Sequence, residues 1–295
     1  MKKTVQGCII LVIATMIWGC AFAAQSIGMD YIGPFTFQAI RCFLGVLMLL
    51  PTIFLFDLKK KDGQTYFSRW RSRKLWRTGF WCGCALFVAS GLQQVGLLYT
   101  DAGKAGFLTA MYIVIVPFLG LIFRKKLSKA MLLSVVVAVA GLYLISGAGI
   151  SAINIGDILM LLCAVAFAVQ ITLIDRLGGD LDGLRLNCIQ CFVCSAISAI
   201  IMIFTETPNF TNILACAGPL LYAGCLSMGI AYSMQILGQQ KVDSVPASLI
   251  MSLESVFAVL SGWILLEERL SPRELGGCVL LFAAVILSQL PAKGK

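Results

Sequence analysis

AFAAQ at residues 21–25 returns as AFAVQ at residues 166–170. In a chain that is 59% hydrophobic, a five-letter match alone decides nothing, because alanine-rich runs coincide by chance. Further matches in the same order change that. IRCF (40–43) pairs with IQCF (189–192), and at a constant offset of 142 come Gln93 with Gln235, Gly96 with Gly238, Asp101 with Asp243, Ala105 with Ala247 and Gly120 with Gly262. KKLS (125–128) then meets ERLS (268–271). An ordered series whose offset drifts only where connectors change length is the mark of an internal duplication, with a first unit at 1–149 and a second at 150–295.

The composition says what each unit is made of. Only 13% of the 295 residues are charged and the mean hydropathy is +0.93, against roughly 25% charged in soluble domains. Apolar runs approach the roughly 20 residues that an α-helix needs to cross a hydrocarbon core. They predict ten spans at 7–27, 34–56, 79–99, 103–123, 129–147, 156–174, 185–204, 213–238, 244–266 and 273–290. Most connectors are short, so neighbouring helices run antiparallel in one bundle. The fold class predicted is all-α integral membrane.

Parity then fixes the relation of the units. Five spans enter on one face and leave on the other, so the second unit is inserted upside down. Ten transmembrane helices as two inverted five-helix repeats can exchange conformations about an axis in the membrane plane, with a site at their interface.

The net charge of +9 does not indicate nucleic acid, because the cations sit in short connectors and are not gathered on one face. With a cytoplasmic N-terminus, nineteen of the 23 Lys and Arg fall on inner segments, three (Lys104, Arg269, Arg273) on outer ones, and Arg41 within a span. Both termini are therefore expected in the cytoplasm. The longest connector, DLKKKDGQTYFSRWRSRKLWR (57–77), interleaves cations with Tyr66, Phe67, Trp70 and Trp76, as suits a segment anchored on an anionic leaflet. Lys2 and Lys3 ahead of an apolar run that ends near Ala21-Phe22-Ala23 outline a cleavable signal peptide, but the repeat argues for a retained first span.

Twelve cysteines and no histidine are present. Cys188, Cys191 and Cys194 share a helical face at i, i+3, i+6, a spacing open to a soft metal but equally to close packing of small residues. The reading taken is packing, with no metal, no cofactor and no catalytic residue.

WGCAFAAQ (18–25), LQQVGLLYTDAGKAGFLTAMYIVIVP (92–117) and LESVFAVLSGWILLEERLS (253–271) together resemble the EamA-type transporters of the drug/metabolite transporter superfamily. The likeness covers essentially the whole chain. It implies ten helices in two inverted repeats, a central cavity, and outward movement or exchange of small metabolites such as amino acids in a bacterial inner (cell) membrane. Lys125 departs from the Gly-Glu-Lys or Gly-Glu-Arg pattern common after the fourth span, and in the second copy Glu267 takes the glycine place ahead of Glu268. Ser255 stands where a proline often follows the glutamate equivalent to Glu254, so no proline is present to break that helix.

An ionisable side chain at membrane depth costs a few kcal/mol and is a functional hypothesis by default. Glu254 lies about ten residues, or roughly 15 Å, into its predicted span. It is a candidate to bind a cationic group or take up a proton, against a structural, hydrogen-bonded glutamate. Arg41 is a candidate for a substrate carboxylate, against a snorkelling arginine, and its counterpart Gln190 offers an uncharged donor. Trp18, Gln25, Gln93, Gln94, Tyr112, Gln170, Tyr232 and Gln235 complete the predicted cavity set, with interhelical hydrogen bonding as the alternative role of each. Asp101 and Lys104 read as a local structural turn, with Asp101 capping the fourth predicted helix. Asp243, Ser244 and Pro246 open the ninth in the same way.

The function expected is a secondary carrier of a small organic solute such as an amino acid or amine, working in a lipid bilayer by alternating access. A channel or pore is the alternative. An enzyme is disfavoured, because Glu254 has no histidine or second carboxylate beside it in its span. A homodimer is left open.

Overall fold

In lipid a backbone must satisfy its own polar groups, and a helix is the way a single segment does so. The computed structural model describes residues 2–60, 65–100, 102–122, 128–145, 154–265 and 271–288, and among them every regular element is helical. In chain order these are α1 (Lys2–Met29), α2 (Pro34–Leu58), a 3₁₀ turn (Ser68–Trp70), α3 (Arg73–Gly96), α4 (Ala102–Ala110), α5 (Tyr112–Ile122), α6 (Lys129–Ile145), α7 (Ile155–Leu177) and α8 (Gly183–Thr205). Short α9 (Phe210–Ala215) and α10 (Ala217–Leu221) lead into a π-helical stretch (Tyr222–Ala231) and α11 (Tyr232–Gln239). α12 (Ser244–Met251), α13 (Glu254–Leu265) and α14 (Pro272–Ser288) follow.

Seven helical stretches among the described residues are long and apolar enough to cross a membrane: Lys3–Met29, Pro34–Leu58, Lys104–Ile122, Ile155–Leu177, Gly183–Thr205, Ala217–Gln239 and Ser244–Ser261. The other three predicted spans correspond to α3, which opens on Arg73, Lys74 and Arg77, and to α6 and α14, of 17 residues each. The outward side chains suit lipid. Phe43, Leu47, Phe54, Phe118, Ile203 and Phe282 all point away from the protein, where a soluble fold would place charge.

The helix termini show how the sequence locates its ends. α2 begins with Pro34 at its first position after Gly33, and its free N–H groups are taken by a residue far along the chain. Glu206, just past α8, accepts from the Phe35 and Thr36 backbone N–H groups at 2.8 Å each and from the Thr36 hydroxyl at 2.5 Å. α7 starts with a capping box of Asn154 and Asp157. Asp157 also receives Lys104 Nζ at 2.7 Å, which gives Lys104 the structural role expected of it. Asp243 stands at the N-cap position of α12, where its side chain makes no capping hydrogen bond. Asp101, Lys125, Glu267 and Glu268 lie outside the described residues.

At the opposite end of α2 and α8, the buried Arg185 guanidinium is held by Asp57 through Nη2 and by Asp182 through Nη1 at 2.7 Å. The rings of Tyr66 and Trp70, from the long connector, lie 5.8 and 5.3 Å from it. That connector is thus partly folded onto the helix ends, beyond the anchoring role predicted. Burial pushes the Asp182 carboxyl up, but the Arg185 backbone N–H and the charges of Arg185 and Lys60 outweigh it, and the group titrates below its ordinary value.

Helices from the two parts of the chain interleave. α1 packs on α11, α13 and the π-helical stretch; α3 packs on α7 and α8; α2 packs on α8, and α6 on α14. The largest buried apolar cluster accordingly mixes Leu11, Leu86 and Ile113 with Ile171, Met228 and Val256.

Two spans are broken at mid-depth. α4 and α5 part at Met111, whose N–H bonds to Leu108 O at 3.2 Å, three residues back. α12 and α13 part at Ser252–Leu253, where Leu253 N reaches Ile250 O at 3.1 Å. No proline sits at the second break. Ser248 and Ser252 instead turn their hydroxyls onto carbonyls three residues back at 2.8 Å each, a back-bonding that bends helices.

Candidate functional site

The two breaks place Tyr112 and Glu254 as the first residues of α5 and α13. The Tyr112 hydroxyl donates to Glu254 Oε1 at 3.1 Å, and both side chains are buried, at 4% and 6% exposure.

Both line a small cavity between the helices, of about 40 Å³. Of the eleven residues singled out from the sequence, Trp18, Gln25, Arg41, Gln93, Tyr112, Tyr232, Gln235 and Glu254 face it. Gln94, Gln170 and Gln190 do not. Gln94 is turned into the protein and donates to the Gln25 carbonyl at 3.4 Å, while Gln170 and Gln190 are wholly buried and bonded to each other at 3.3 Å. These three amides are helix-to-helix bonds, the alternative role stated for each.

Phe22, Thr109, Phe167, Ile171, Ser227, Met228 and Met251 line the cavity as well and were not singled out. Phe22 and Phe167 occupy the same place in AFAAQ and AFAVQ, and Thr109 and Met251 stand at the offset of 142, so the repeat held a signal for four of them. Nothing local marks Ser227 or Met228, which sit in the π-helical stretch.

The electrostatics of the cavity rest on two groups. Arg41, 1% exposed, donates one Nη1 bond to Gln25 Oε1, and its ring neighbour is Phe37 at 5.6 Å. Its Nε and Nη2 have no hydrogen-bond partner. A buried guanidinium with two idle donor atoms is costly unless something else occupies them. Arg41 and Glu254 share the cavity but form no ion pair with each other. Around them lie Trp18 and Tyr232 in an edge-on contact with centroids 5.0 Å apart, and the Trp18 Nε1 is also unpartnered.

The three cysteines at i, i+3, i+6 do not converge. Cys194 Sγ lies 3.4 Å from Cys42 Sγ, whereas Cys191 turns to Asn187 Oδ1 at 3.4 Å.

Comparison with known proteins follows this architecture. The model of the EamA-like transporter family matches residues 5–147 and again residues 154–290. The chain is 34% identical over 284 residues to an uncharacterized transporter of Archaeoglobus fulgidus, covering 95% of this chain and 84% of that protein. It is 20% identical over 300 residues to the uncharacterized transporter YoaV of Bacillus subtilis, covering 98% and 97%. A solved crystal structure superposes with a TM-score of 0.78 at 18% identity, covering 98% of both chains, a likeness of fold. The chain is a multi-pass membrane protein and belongs to the EamA-like transporter family.

Proposed function

We propose that this transporter is a secondary carrier of small zwitterionic metabolites, amino acids foremost, and moves them outward across a bacterial inner membrane by alternating access. One observation carries the reading: a guanidinium with idle donors and a carboxylate share a buried cavity without pairing. Opposite charges left apart in a poorly solvated space are stabilised by a ligand that bears both complementary charges. The substrate carboxylate binds Arg41 Nε and Nη2 as a fork, its ammonium binds Glu254, and its side chain meets Trp18, Phe22, Phe167 and Tyr232.

The same reading takes the chain as ten spans in two inverted five-helix repeats, 1–149 and 150–295, with both termini cytoplasmic. The packing supports this. If the second unit repeats the first, α1 corresponds to α7, α2 to α8, α3 to the π-stretch with α11, α4 and α5 to α12 and α13, and α6 to α14. Exchanging the units turns the α3–α7 contact into that of α11 with α1, and maps the α2–α8 and α6–α14 contacts onto themselves; all of these contacts are present. Four pairs at repeat offsets line the cavity together: Phe22 with Phe167, Gln93 with Gln235, Thr109 with Met251, and Tyr112 with Glu254. A site on such an axis can open to either face.

Purified protein in vesicles, offered a panel of radiolabelled amino acids and amines, tests the proposal. Saturable counterflow of an amino acid, with no response to the matching amine or decarboxylated analogue, is the expected result. Ohmic current in a planar bilayer identifies a channel, and a chemically altered solute identifies an enzyme.

A further inference from the structure

Ser227 and Met228 face the cavity from the single π-helical stretch among the described residues, Tyr222–Ala231. Bonds spaced i→i+5 are rare and frequently mark functional sites, so something has to hold this stretch against winding back to an ordinary helix. At its end the Tyr232 N–H reaches the Ser227 carbonyl. The next two carbonyls, Met228 O and Gly229 O, lie 2.9 and 3.1 Å from Asn187 Nδ2 on α8, and Ser233 Oγ lies 2.8 Å from the same nitrogen.

Asn187 is wholly buried and has no part in the cavity wall. Its Oδ1 accepts from Gln190 Nε2 at 2.8 Å. From Gln190 an amide chain runs to Gln170 at 3.3 Å and on to Gln235 at 3.1 Å, and Gln235 does face the cavity. One side chain is therefore joined to the wall twice, through the Met228 carbonyl and through Gln235. On its other side the π-stretch is pressed against α2. A Cβ at Gly224 would fall 2.6 Å from Leu44 Cβ and 2.9 Å from the Arg41 carbonyl, so the stretch has no room to shift toward Arg41.

The chain holds its own control. Gln38 stands 149 residues before Asn187, is equally buried, and donates to the Phe87 carbonyl at 3.2 Å. Phe87 in turn stands 142 residues before Gly229. The same bond is thus made in the first half, but to one carbonyl, and there α3 runs on as an unbroken α-helix.

We propose that Asn187 is a positioning residue for the cavity: it holds the π-stretch open and thereby sets Ser227, Met228 and Gln235 against the substrate. The kinetic part of this rests on the transport reading, and the structural part does not. The test uses the purified full chain as wild type, Asn187→Ala, Gln38→Ala and Gln190→Ala. Hydrogen–deuterium exchange is followed over residues 222–231, and counterflow of radiolabelled L-leucine and L-phenylalanine is measured in vesicles. In Asn187→Ala, exchange over 222–231 rises about tenfold and the KM of the transported probe rises about tenfold while kcat stays within about twofold. Gln38→Ala leaves both readings near wild type. Unchanged exchange in Asn187→Ala overturns the proposal, as does a Gln38→Ala variant that matches it. If Asn187→Ala does not fold, Gln190→Ala, which frees the Asn187 amide to turn, carries the same test with smaller changes in the same direction. If wild type carries neither probe, transport of these two apolar amino acids is ruled out, and the exchange measurement still decides the role of Asn187.

Discussion

On the proposed reading, substrate recognition turns on Arg41 and Glu254, which line the same cavity. Replacing Glu254 by Gln keeps its shape and leaves Oε1 available to the Tyr112 hydroxyl, but removes the charge. A charge-assisted bond is worth about 1.5–3 kcal/mol, so the variant is expected to insert and fold normally while losing roughly tenfold or more in affinity for the ammonium group, or losing its pH dependence. Uptake kinetics identical to wild type across pH would remove Glu254 from the site. Arg41→Lys tests the other pole. Lysine keeps the charge but not the planar fork, so KM for an amino acid is expected to rise about tenfold, with little change for any solute lacking a carboxylate. Equal loss for both solutes would assign Arg41 to packing. The membrane cost of charge pointed to both residues from the sequence. The amides were harder, because Gln93 and Gln94 are adjacent and each step around a helix turns about 100°. Gln93 faces the cavity and Gln94 the interior, a difference that helix rotation sets and composition does not.

At the scale of elements, α2 and α8 are tied at both ends, by Glu206 on the α2 N-terminus and by Arg185 between Asp57 and Asp182. Breaking a buried charged cluster by removing one member leaves the rest uncompensated. Arg185→Leu is therefore expected to lower stability by about 3–5 kcal/mol, read as a loss of thermal stability in detergent far exceeding that of Lys74→Leu, whose partner Asp180 is exposed. The Asp182 carboxyl, held below its unfolded value, contributes stability that is complete above roughly pH 4 and is lost as pH falls through the lower folded value. Melting temperature should drop in that acid range and drop less in Asp182→Asn; an identical drop assigns the acid sensitivity elsewhere. The helix break before Glu254 was not legible in advance, because no proline marks it. Serine hydroxyls turned onto nearby carbonyls bend that span, and whether a serine does so depends on its surroundings.

For the molecule as a whole, the proposed inverted arrangement makes a prediction of sidedness. Epitope tags inserted at Phe67 and Gly179 should be reached only from the cytoplasm, and tags at Asn209 only from outside. A tag at Asn209 accessible from the same side as one at Phe67 would break the inverted-repeat reading, and with it the case for alternate opening.

The solvent of the chain, its helical class and its family likeness were all legible in the residues. Hydropathy and span length are sums over local stretches and need no knowledge of contacts. Which polar groups share a cavity, that the Arg41 donors stay idle there, and that a π-helical stretch brings Ser227 and Met228 to the wall were set by packing in three dimensions. Those outcomes depend on helix rotation, on breaks at mid-span, and on bonds between residues forty or more positions apart, such as Asn187 with Met228. No local pattern encodes them.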